Sequence, residues 1–276
     1  MDPLALDTAI RSFLREDIGF GDLTTEAIFP PDQAGEAAFV AKDTFLAAGL
    51  EVAARVFQLR NADVSVLKLA PDGTRAAPGD VLLEVVGPVA DLLQAERVAL
   101  NLAQRLCGIA TLTDRFVERV RPLPVRIVDT RKTTPGLRVL EKYAVRAGGG
   151  HNHRFGLADG ILIKDNHIAA CGSIAEAVRR VRARAPHTLK VEVEAATLAQ
   201  VEECLGCQVE IIMLDNMTPA AMREAVALVA GRALVEASGG ITLANVREAA
   251  EAGVDLISVG ALTHSAPACD ISMRLG

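Results

Sequence analysis

Aromatic residues are scarce in this sequence, and tryptophan is absent. Among 276 residues there are one tyrosine and eight phenylalanines, although half of all residues are apolar. Alanine, valine and leucine must therefore fill the core, which suits the close helix–sheet packing of an α/β protein. A chain of this length can bury a sizeable core in one large domain or two modest ones.

Long apolar runs and an excess of positive charge are also absent. No stretch approaches the roughly 18 apolar residues of a membrane span. The start, MDPLALDTAIRSFL, lacks the pattern of a secretion signal and predicts an amphipathic helix instead. A net charge of −6 argues against nucleic-acid binding, and five scattered cysteines are typical of reduced thiols. We therefore expect a cytoplasmic protein that binds neither membrane nor nucleic acid.

Basic residues are nevertheless concentrated in one stretch. Between Arg126 and Lys164, eight lysines and arginines stand against three acidic residues, so this segment carries +5 and the remainder −11. Such a segment indicates a small anionic ligand, and the simpler alternative is a solvated basic face. In a predicted long helix, Arg97, Asn101 and Arg105 fall on one face, which points either to solvent or to an anion.

The second half of the chain alternates regularly between strands and helices. From about Val125, six segments rich in β-branched residues are separated by helix-length segments with a 3.6-residue period. Strands that are apolar throughout are buried on both faces of a parallel sheet, as in an α/β barrel or a doubly wound sheet. The six predicted strands are VRIVDT, GILIK, LKVEVEA, VEIIMLD, ALVEAS and VDLISVG, the last of them being the final strand.

The first part of the chain has a different pattern. Residues 34–90 contain short alternating segments separated by turns such as PDG and PGD. They predict a small, mostly antiparallel α+β domain, which a long helix follows. We place the division so that residues 1–115 form the α+β domain and residues 116–276 form the α/β domain.

Polar residues and glycines follow nearly every predicted strand of the second domain. Because ligands of parallel α/β folds bind at the carboxyl ends of the strands, these residues should meet on one rim. The carboxylates Glu194 and Asp215 suit sugar hydroxyls or Mg²⁺, the cations suit phosphates and carboxylates, and the glycine turns present N–H groups to a phosphate. Helix capping is a structural alternative for several of them. The residues are Arg131, Lys132, Lys164, Glu192, Glu194, Asp215, Ser238, Gly239, Gly240, Gly260 and Ala261.

The stretch GGGHNHR, which ends at Arg154, admits two interpretations. His151, His153 and His167 could bind zinc, but neighbouring cations and the lack of an HExxH pattern weigh against it. The favoured interpretation is a glycine-rich loop that presents a histidine and an arginine to an anion. Lys164, at a strand end, could alternatively form a Schiff base.

Seven blocks of the sequence resemble the quinolinate phosphoribosyltransferases. They occur in order between about residues 16 and 265, with a local departure at DTFLAAG in the first domain. The longest and most specific block is DTRKTTPGLRVLEKYAVRAGGGHNHRFGLADGILIKDNHI. The others are EDIGFGDLTTEAIFP, ERVALNLAQRLCGIAT, VEVEA, IIMLDN, EASGGI and VGALTHS.

The resemblance implies an α/β protein with a small N-terminal α+β sandwich domain and an incomplete, TIM-like barrel of about seven strands. It implies a Mg²⁺-dependent transfer of phosphoribosyl from 5-phosphoribosyl-1-pyrophosphate to quinolinate. Pyrophosphate and carbon dioxide are released, and nicotinate mononucleotide is left for NAD biosynthesis. Subunits of the family pair head to tail, which implies a homodimer, or a trimer of dimers, with sites shared between two subunits.

The resemblance also implies residue roles for quinolinate. Arg131, His153 and Arg154 are expected to hold its two carboxylates, with Arg105 reaching across from the neighbouring subunit.

The phosphoribosyl half of the site follows by the same resemblance. Lys132 and Lys164 are expected to meet the pyrophosphate or the departing carboxylate, as catalytic residues. Glu194 and Asp215 are expected to bind the ribose hydroxyls or Mg²⁺, and are catalytic and metal-binding candidates. The 5-phosphate is expected in the turns Ser238–Gly240 and Gly260–Ala261.

Three other functions remain open from the sequence. The first is a relative of the same fold with another substrate, such as the molybdenum-cluster-associated protein that resembles this family. The second is an aldolase that uses Lys164 as its Schiff-base lysine. The third is a phosphosugar-binding subunit without catalytic activity.

Overall fold

The computed structural model describes residues 2–276 and divides into two compact units. The initial segment of the first unit ends at Asp114, close to the predicted domain division after residue 115. The predicted domain bounds themselves stay a prediction. Two later segments, Thr134–Gly149 and Ser265–Gly276, also belong to the first unit. The second unit comprises Arg115–Thr133 and Gly150–His264. Within the described residues, no helix is both long enough and apolar enough to cross a membrane.

Helices and strands are numbered here in chain order. In the first half they are α1 Pro3–Ile18, α2 Leu23–Ile28, β1 Ala34–Ala41, β2 Phe45–Leu46, α3 Leu50–Arg60, β3 Ser65–Leu69, β4 Arg75–Ala76, β5 Val81–Pro88 and α4 Val89–Val120. In the second half they are β6 Arg126–Val128, α5 Arg138–Ala147, β7 Ile161–Ile163, α6 Asp165–Cys171, α7 Ile174–Arg182, β8 Val191–Ala195, α8 Leu198–Gly206, β9 Ile211–Asp215, α9 Pro219–Val229, β10 Leu234–Ser238, α10 Val246–Glu251, β11 Leu256–Ser258, α11 Ala261–His264 and β12 Ile271–Leu275.

The first unit is built on a four-stranded antiparallel sheet in the order β12-β1-β5-β3. Helices α1 and α3 pack on each other, and α3 buries one apolar face, including Val56 and Phe57. Phe57 meets Phe39 of β1 edge to face, with ring centroids 5.8 Å apart. As predicted, α1 is amphipathic and buries Ile10 and Leu14. The predicted small α+β domain is confirmed.

The prediction that VDLISVG is the final strand is wrong. VDLISVG, which contains β11, is followed by a further strand, β12, that pairs with β1 from Ala37↔Leu275 to Ala41↔Ile271. Only Ile271 of this strand is fully buried, so the segment carries little apolar periodicity. Its partner lies some 230 residues earlier in the chain, and local sequence patterns do not encode such a pairing.

The second unit contains all six predicted strands in one parallel sheet, in the order β6-β11-β10-β9-β8-β7. Their central residues are buried, such as Val193, Ile212 and Ala237, which explains the continuous apolar runs. The intervening helices α6 to α10 follow the strands in the βα order that was predicted. Every strand of this sheet therefore ends on the same edge.

The parallel sheet is a barrel left open at one place. β6 and β7 follow each other in the chain and would pair in a closed barrel, but each lies at an edge of the sheet. At the β6 edge, a single parallel bridge joins Val128 to His151, whose N–H donates to the carbonyl of Ile127 at 2.9 Å. The GGGHNHR stretch thus touches the β6 edge through this bridge without forming a strand, and the predicted incomplete barrel is confirmed with six strands.

Candidate active site at the carboxyl ends of the strands

A cavity of about 680 Å³ opens at the carboxyl ends of the six parallel strands. All of its lining belongs to the second unit. Twelve of the thirteen residues predicted to act in the site line it, so the rim expected from strand order does form in the fold. These twelve are Arg131, Lys132, His153, Arg154, Lys164, Glu194, Asp215, Ser238, Gly239, Gly240, Gly260 and Ala261.

Two arginines contribute positive charge to the cavity, in addition to Lys132 and Lys164. Burial, and next the nearby charge of Arg131, lower the pKa of Arg154, whose guanidinium donates to the carbonyl of Gly160 at 3.1 Å. The Nε of Arg131 is buried and finds no hydrogen-bond acceptor among residues 2–276. A buried donor without an acceptor is costly, and two like charges so placed favour an anion between them.

Buried acidic residues hold the HNHR segment in place. The carboxylate of Asp129, fully buried after β6, accepts the N–H of His153 at 2.9 Å and the side-chain amide of Asn152 at 2.6 Å. The N–H of Arg154 donates to Nδ1 of His153 at 2.7 Å. The other ring nitrogen, Nε2, lies 3.0 Å from a carboxylate oxygen of Glu192. Both ring nitrogens of His153 are therefore engaged by the protein.

Carboxylates from neighbouring strands face the same cavity. Lys164 after β7 forms an ion pair with Glu194 of β8. Asp215, the last residue of β9, accepts the side-chain amide of Asn216 at 3.0 Å. A cation, two carboxylates and an amide therefore stand together where strands β7 to β9 end. Such a set can bind sugar hydroxyls or a hard divalent cation.

The turn after β10 depends on glycine. Gly239 has a φ of +88°, and a Cβ there would lie 2.3 Å from Oδ1 of Asn216. The next residue, Gly240, also has a positive φ, and its carbonyl accepts the side-chain amide of Asn245 at 2.9 Å. Glycine is required here because only it combines this backbone conformation with such a close approach. The result is a tight, anchored loop beside Asp215.

The zinc interpretation of the three histidines is not supported by the fold. Nδ1 of His167 accepts the N–H of Lys164 at 2.9 Å at the start of α6. Over residues 2–276, the one cluster with the spacing of a metal site joins His153 to two glutamates, Glu192 and Glu236. His151 and His167 are not part of it.

The thirteenth predicted residue, Arg105, lies in the first unit. Its guanidinium donates to Glu141 at 2.9 Å and to the carbonyl of Ala266 at 3.0 Å. Glu141 is fully buried and also accepts the N–H and hydroxyl of Thr134. Arg105 thus has an acidic partner within its own unit. The role in a neighbouring subunit stays a prediction.

Several cavity residues were not assigned a role from the sequence. Asn216 and Thr130 stand directly beside predicted residues, and His264 lies in the VGALTHS block. Glu236 had a signal of its own, since it is the single charge inside the apolar strand β10. A charged residue in the middle of a buried strand needs a partner, and this one could have been singled out for that reason.

The fold and the cavity together define a class of protein. Polar and charged residues collect at the carboxyl ends of parallel strands in an incomplete α/β barrel, with paired arginines on one side and carboxylates with a glycine turn on the other. This is the arrangement of an enzyme that holds a multiply anionic substrate carrying a sugar.

Comparisons with known proteins give the particular family. Residues 22–107 match the N-terminal domain of quinolinate phosphoribosyl transferase, and residues 109–274 match its C-terminal domain. The chain belongs to this family, as the sequence blocks predicted.

Similar proteins cover the whole chain. A Bacillus subtilis protein named probable nicotinate-nucleotide pyrophosphorylase [carboxylating] is 48% identical, covering 99% of this chain and 94% of its own length. The nicotinate-nucleotide pyrophosphorylase [carboxylating] of Mycobacterium leprae is 45% identical over 98% of this chain and 97% of its own length. The crystal structure of NadC from Streptococcus pyogenes superposes with a TM-score of 0.96 at 44% identity, covering 100% of this chain and 98% of its own.

Proposed function

We propose that this protein is a carboxylating nicotinate-nucleotide pyrophosphorylase. It transfers phosphoribosyl from 5-phosphoribosyl-1-pyrophosphate to the ring nitrogen of quinolinate. Pyrophosphate and carbon dioxide leave, and nicotinate mononucleotide is the product. Family membership over both domains and relatives of that name at 45–48% identity support this function.

The single structural observation that carries the proposal is the pair of cavity arginines. Nε of Arg131 has no acceptor among residues 2–276, and burial, followed by the charge of Arg131, lowers the pKa of the neighbouring Arg154. A ligand with two adjacent carboxylates would satisfy both guanidiniums at once, because each can form a forked pair with a carboxylate. Quinolinate is such a ligand. His153, beside Arg154, completes this side of the cavity.

The reaction needs no nucleophilic side chain. The carbon–oxygen bond at C1 of the ribose breaks, and its electron pair leaves with pyrophosphate. The quinolinate nitrogen then supplies the pair for the new bond. Once the ring is cationic, the electrons of the bond to the 2-carboxylate remain on the ring as carbon dioxide departs, and a proton fills that position. The protein contributes orientation and charge stabilisation, and the cavity-lining Lys132 and Lys164 are the proposed partners of the departing anions.

The carboxylates near β8 and β9 fit a magnesium ion in its usual mode. Mg²⁺ is held by one or two protein carboxylates together with substrate phosphates and water. Glu194 and Asp215 offer two such oxygen donors beside the glycine turn. When bound, Mg²⁺ neutralises charge on the pyrophosphate. Glu194 and Asp215 also suit the ribose hydroxyls, and the turns at Ser238–Gly240 and Gly260–Ala261 suit the 5-phosphate.

We further propose a homodimer in which Arg105 of one subunit completes the partner's cavity. A mixing experiment tests this proposal. Arg105→Ala and Arg131→Ala variants, each of low activity alone, are unfolded together and refolded as one sample. Mixed dimers would contain one intact site, which would restore about a quarter of the wild-type activity for random pairing. No recovery in mixed dimers isolated by two affinity tags would contradict the shared site.

The decisive assay combines quinolinate, 5-phosphoribosyl-1-pyrophosphate and Mg²⁺, with nicotinate mononucleotide and released carbon dioxide measured together. We expect equal amounts of both products. Chelation of Mg²⁺ should abolish them, and nicotinate should not replace quinolinate. Folded protein without turnover would contradict the function and favour the relative with another substrate. Trapping of a carbonyl substrate on Lys164 by borohydride would favour the aldolase.

The trimer of dimers, like the dimer, is tested by mass measurement in solution. The cytoplasmic location stays a prediction, tested by fractionation of cells.

A further inference from the structure

A buried cluster of three ionisable residues lies beneath the substrate cavity. Nε2 of His153 is 3.0 Å from an oxygen of Glu192 and 3.6 Å from one of Glu236. Glu192 and Glu236 are only 3% and 1% exposed. One oxygen of each glutamate is buried without a hydrogen-bond partner among residues 2–276. None of the roles proposed above uses these two glutamates, although burying them is costly.

The cluster forms the floor between two cavities. His153 and Glu236 line the cavity at the carboxyl ends of the strands. They also line a second cavity of about 500 Å³, together with Glu192 and with residues that begin the strands, such as Ile211 and Leu234. The three side chains therefore occupy the middle of the barrel, directly below the side of the substrate cavity that carries the arginines.

The ring of His153 contacts the glutamates on one side and the backbone of Arg154 on the other. Because Nδ1 of His153 accepts the N–H of Arg154, the ring proton must stand on Nε2, where it faces the glutamates. One ring nitrogen accepts this N–H and the other faces a carboxylate, so both hold the ring in one orientation. The orientation of this ring consequently fixes the backbone at Arg154, whose guanidinium lines the substrate cavity.

We propose that Glu192 and Glu236 are positioning residues, which orient the ring of His153 and through it Arg154 for binding of the substrate's carboxylates. This inference rests on the proposed function for the identity of that substrate. The glutamates touch neither substrate nor reacting atoms. Asp129 holds the same segment by accepting the backbone N–H of His153, whereas the glutamates set the orientation of the His153 ring.

The protonation of Glu236 explains how two carboxyl groups share this space. Burial, and next the charge of Glu192, raise the pKa of Glu236 to about 7, against the opposite effects of His153 and Ser258. Glu236 therefore stays protonated well above the usual range of a carboxyl group. The groups that face Glu236 are Glu192 from β8, Ser258 from β11 and His153, which lies two residues after the bridge at His151. The charge of Arg154, which interacts with Glu192, makes a bound metal cation here unfavourable.

Kinetics of matched variants test the positioning role. Glu192→Ala removes the acceptor of His153 and should raise KM for quinolinate by about tenfold, with kcat and the KM for 5-phosphoribosyl-1-pyrophosphate within about threefold. Glu192→Gln keeps an acceptor oxygen and should restore KM to within about threefold of wild type. Glu202→Gln, an exposed substitution on α8, is the control. An unchanged quinolinate KM in folded Glu192→Ala, or a glutamine variant as impaired as the alanine one, would overturn the proposal.

Thermal unfolding gives a readout that does not depend on turnover. Since the pKa of Glu236 is raised on folding, the folded wild type binds more protons than the unfolded chain, and its stability falls as pH rises from about 4.5 to about 7. Glu236→Gln lacks this titration, so its melting temperature relative to wild type should increase across that range and then level off. A melting-temperature difference between variant and wild type that does not change with pH would contradict the protonation of Glu236 in the folded protein.

The kinetic and melting measurements distinguish a failure of the positioning role from a failure of the proposed function. If wild type does not turn over quinolinate, the proposed function fails, while the melting comparison still tests the cluster. A competing metal role is tested with Mn²⁺ and Zn²⁺ by calorimetry. One stoichiometric ion, lost in Glu236→Gln and kept in Glu194→Gln, would overturn the positioning role in favour of a metal site. No such ion, with the expected kinetics, would support it.

Discussion

Arginines in the two units of this protein have opposite surroundings. Arg105 in the first unit donates to a fully buried carboxylate, Glu141, and to a backbone carbonyl. In the second unit, Arg131 has a buried Nε without an acceptor among residues 2–276, and burial lowers the pKa of Arg154. The first arginine has an acidic partner within its own unit, while the second pair leaves binding capacity for an anion.

The largest effect is expected from removing a cavity arginine. Arg131→Ala or Arg154→Ala should lower kcat/KM for quinolinate by roughly 10²–10³-fold, because an unmade charged pair costs about 3–4 kcal/mol. The melting temperature should change little for Arg131→Ala. Steady-state kinetics and thermal unfolding measure both effects. Arg126→Ala is the control, because Arg126 is exposed and lies in the same basic segment. Full activity of either cavity variant would contradict a role of these arginines in binding the substrate.

The converse effect is expected in the first unit. Glu141→Ala leaves the charge of Arg105 without its carboxylate and removes the acceptor of Thr134. The free energy of unfolding should fall by about 3–5 kcal/mol, which is typical for a broken buried ion pair. Denaturant unfolding measures the loss, and Glu141→Gln should lose less because it keeps an acceptor. Unchanged stability of the alanine variant would show that this ion pair is dispensable.

A smaller effect is expected at the glycine turn. Gly239→Ala forces a positive φ on alanine and brings its Cβ to 2.3 Å from Asn216, so KM for 5-phosphoribosyl-1-pyrophosphate should rise about tenfold or more. Gly172→Ala is a matched control, since Gly172 has a φ of +100° with nothing within 4 Å. It should lose stability from strain alone and keep its KM. Equal kinetic effects at both glycines would refute a phosphate role for the turn.

The smallest effect is expected from treatment with a thiol reagent, because a buried thiol in each unit should be unreactive. Burial raises the pKa of Cys107 and of Cys204 to about 12, so neither forms appreciable thiolate at pH 8. Under native conditions, iodoacetamide should modify the partly exposed Cys171 and leave these two unmodified until the protein unfolds, as followed by peptide mass spectrometry. Rapid modification of either buried thiol would reveal an opening of that unit.

Most of the site was predictable because its position follows from strand order. Glu194, Asp215 and Ser238 each stand at a strand end, and parallel strands bring their ends to one rim whatever the details of packing. The floor beneath this rim was not predictable. Glu192 and Glu194 share a face of β8, yet one ion-pairs with Lys164 and the other meets His153 and Glu236 one layer deeper.

The sequence by itself determined the alternation of strands and helices, the sign of charge at the rim and the family. These properties are carried by local periodicity and by residue type, which need no knowledge of distant contacts. Only the tertiary structure decided that β12 joins β1, that Arg105 meets Glu141, and that His153 rests on two glutamates. Each of these contacts joins residues far apart in the chain, so it exists only when the whole backbone has folded.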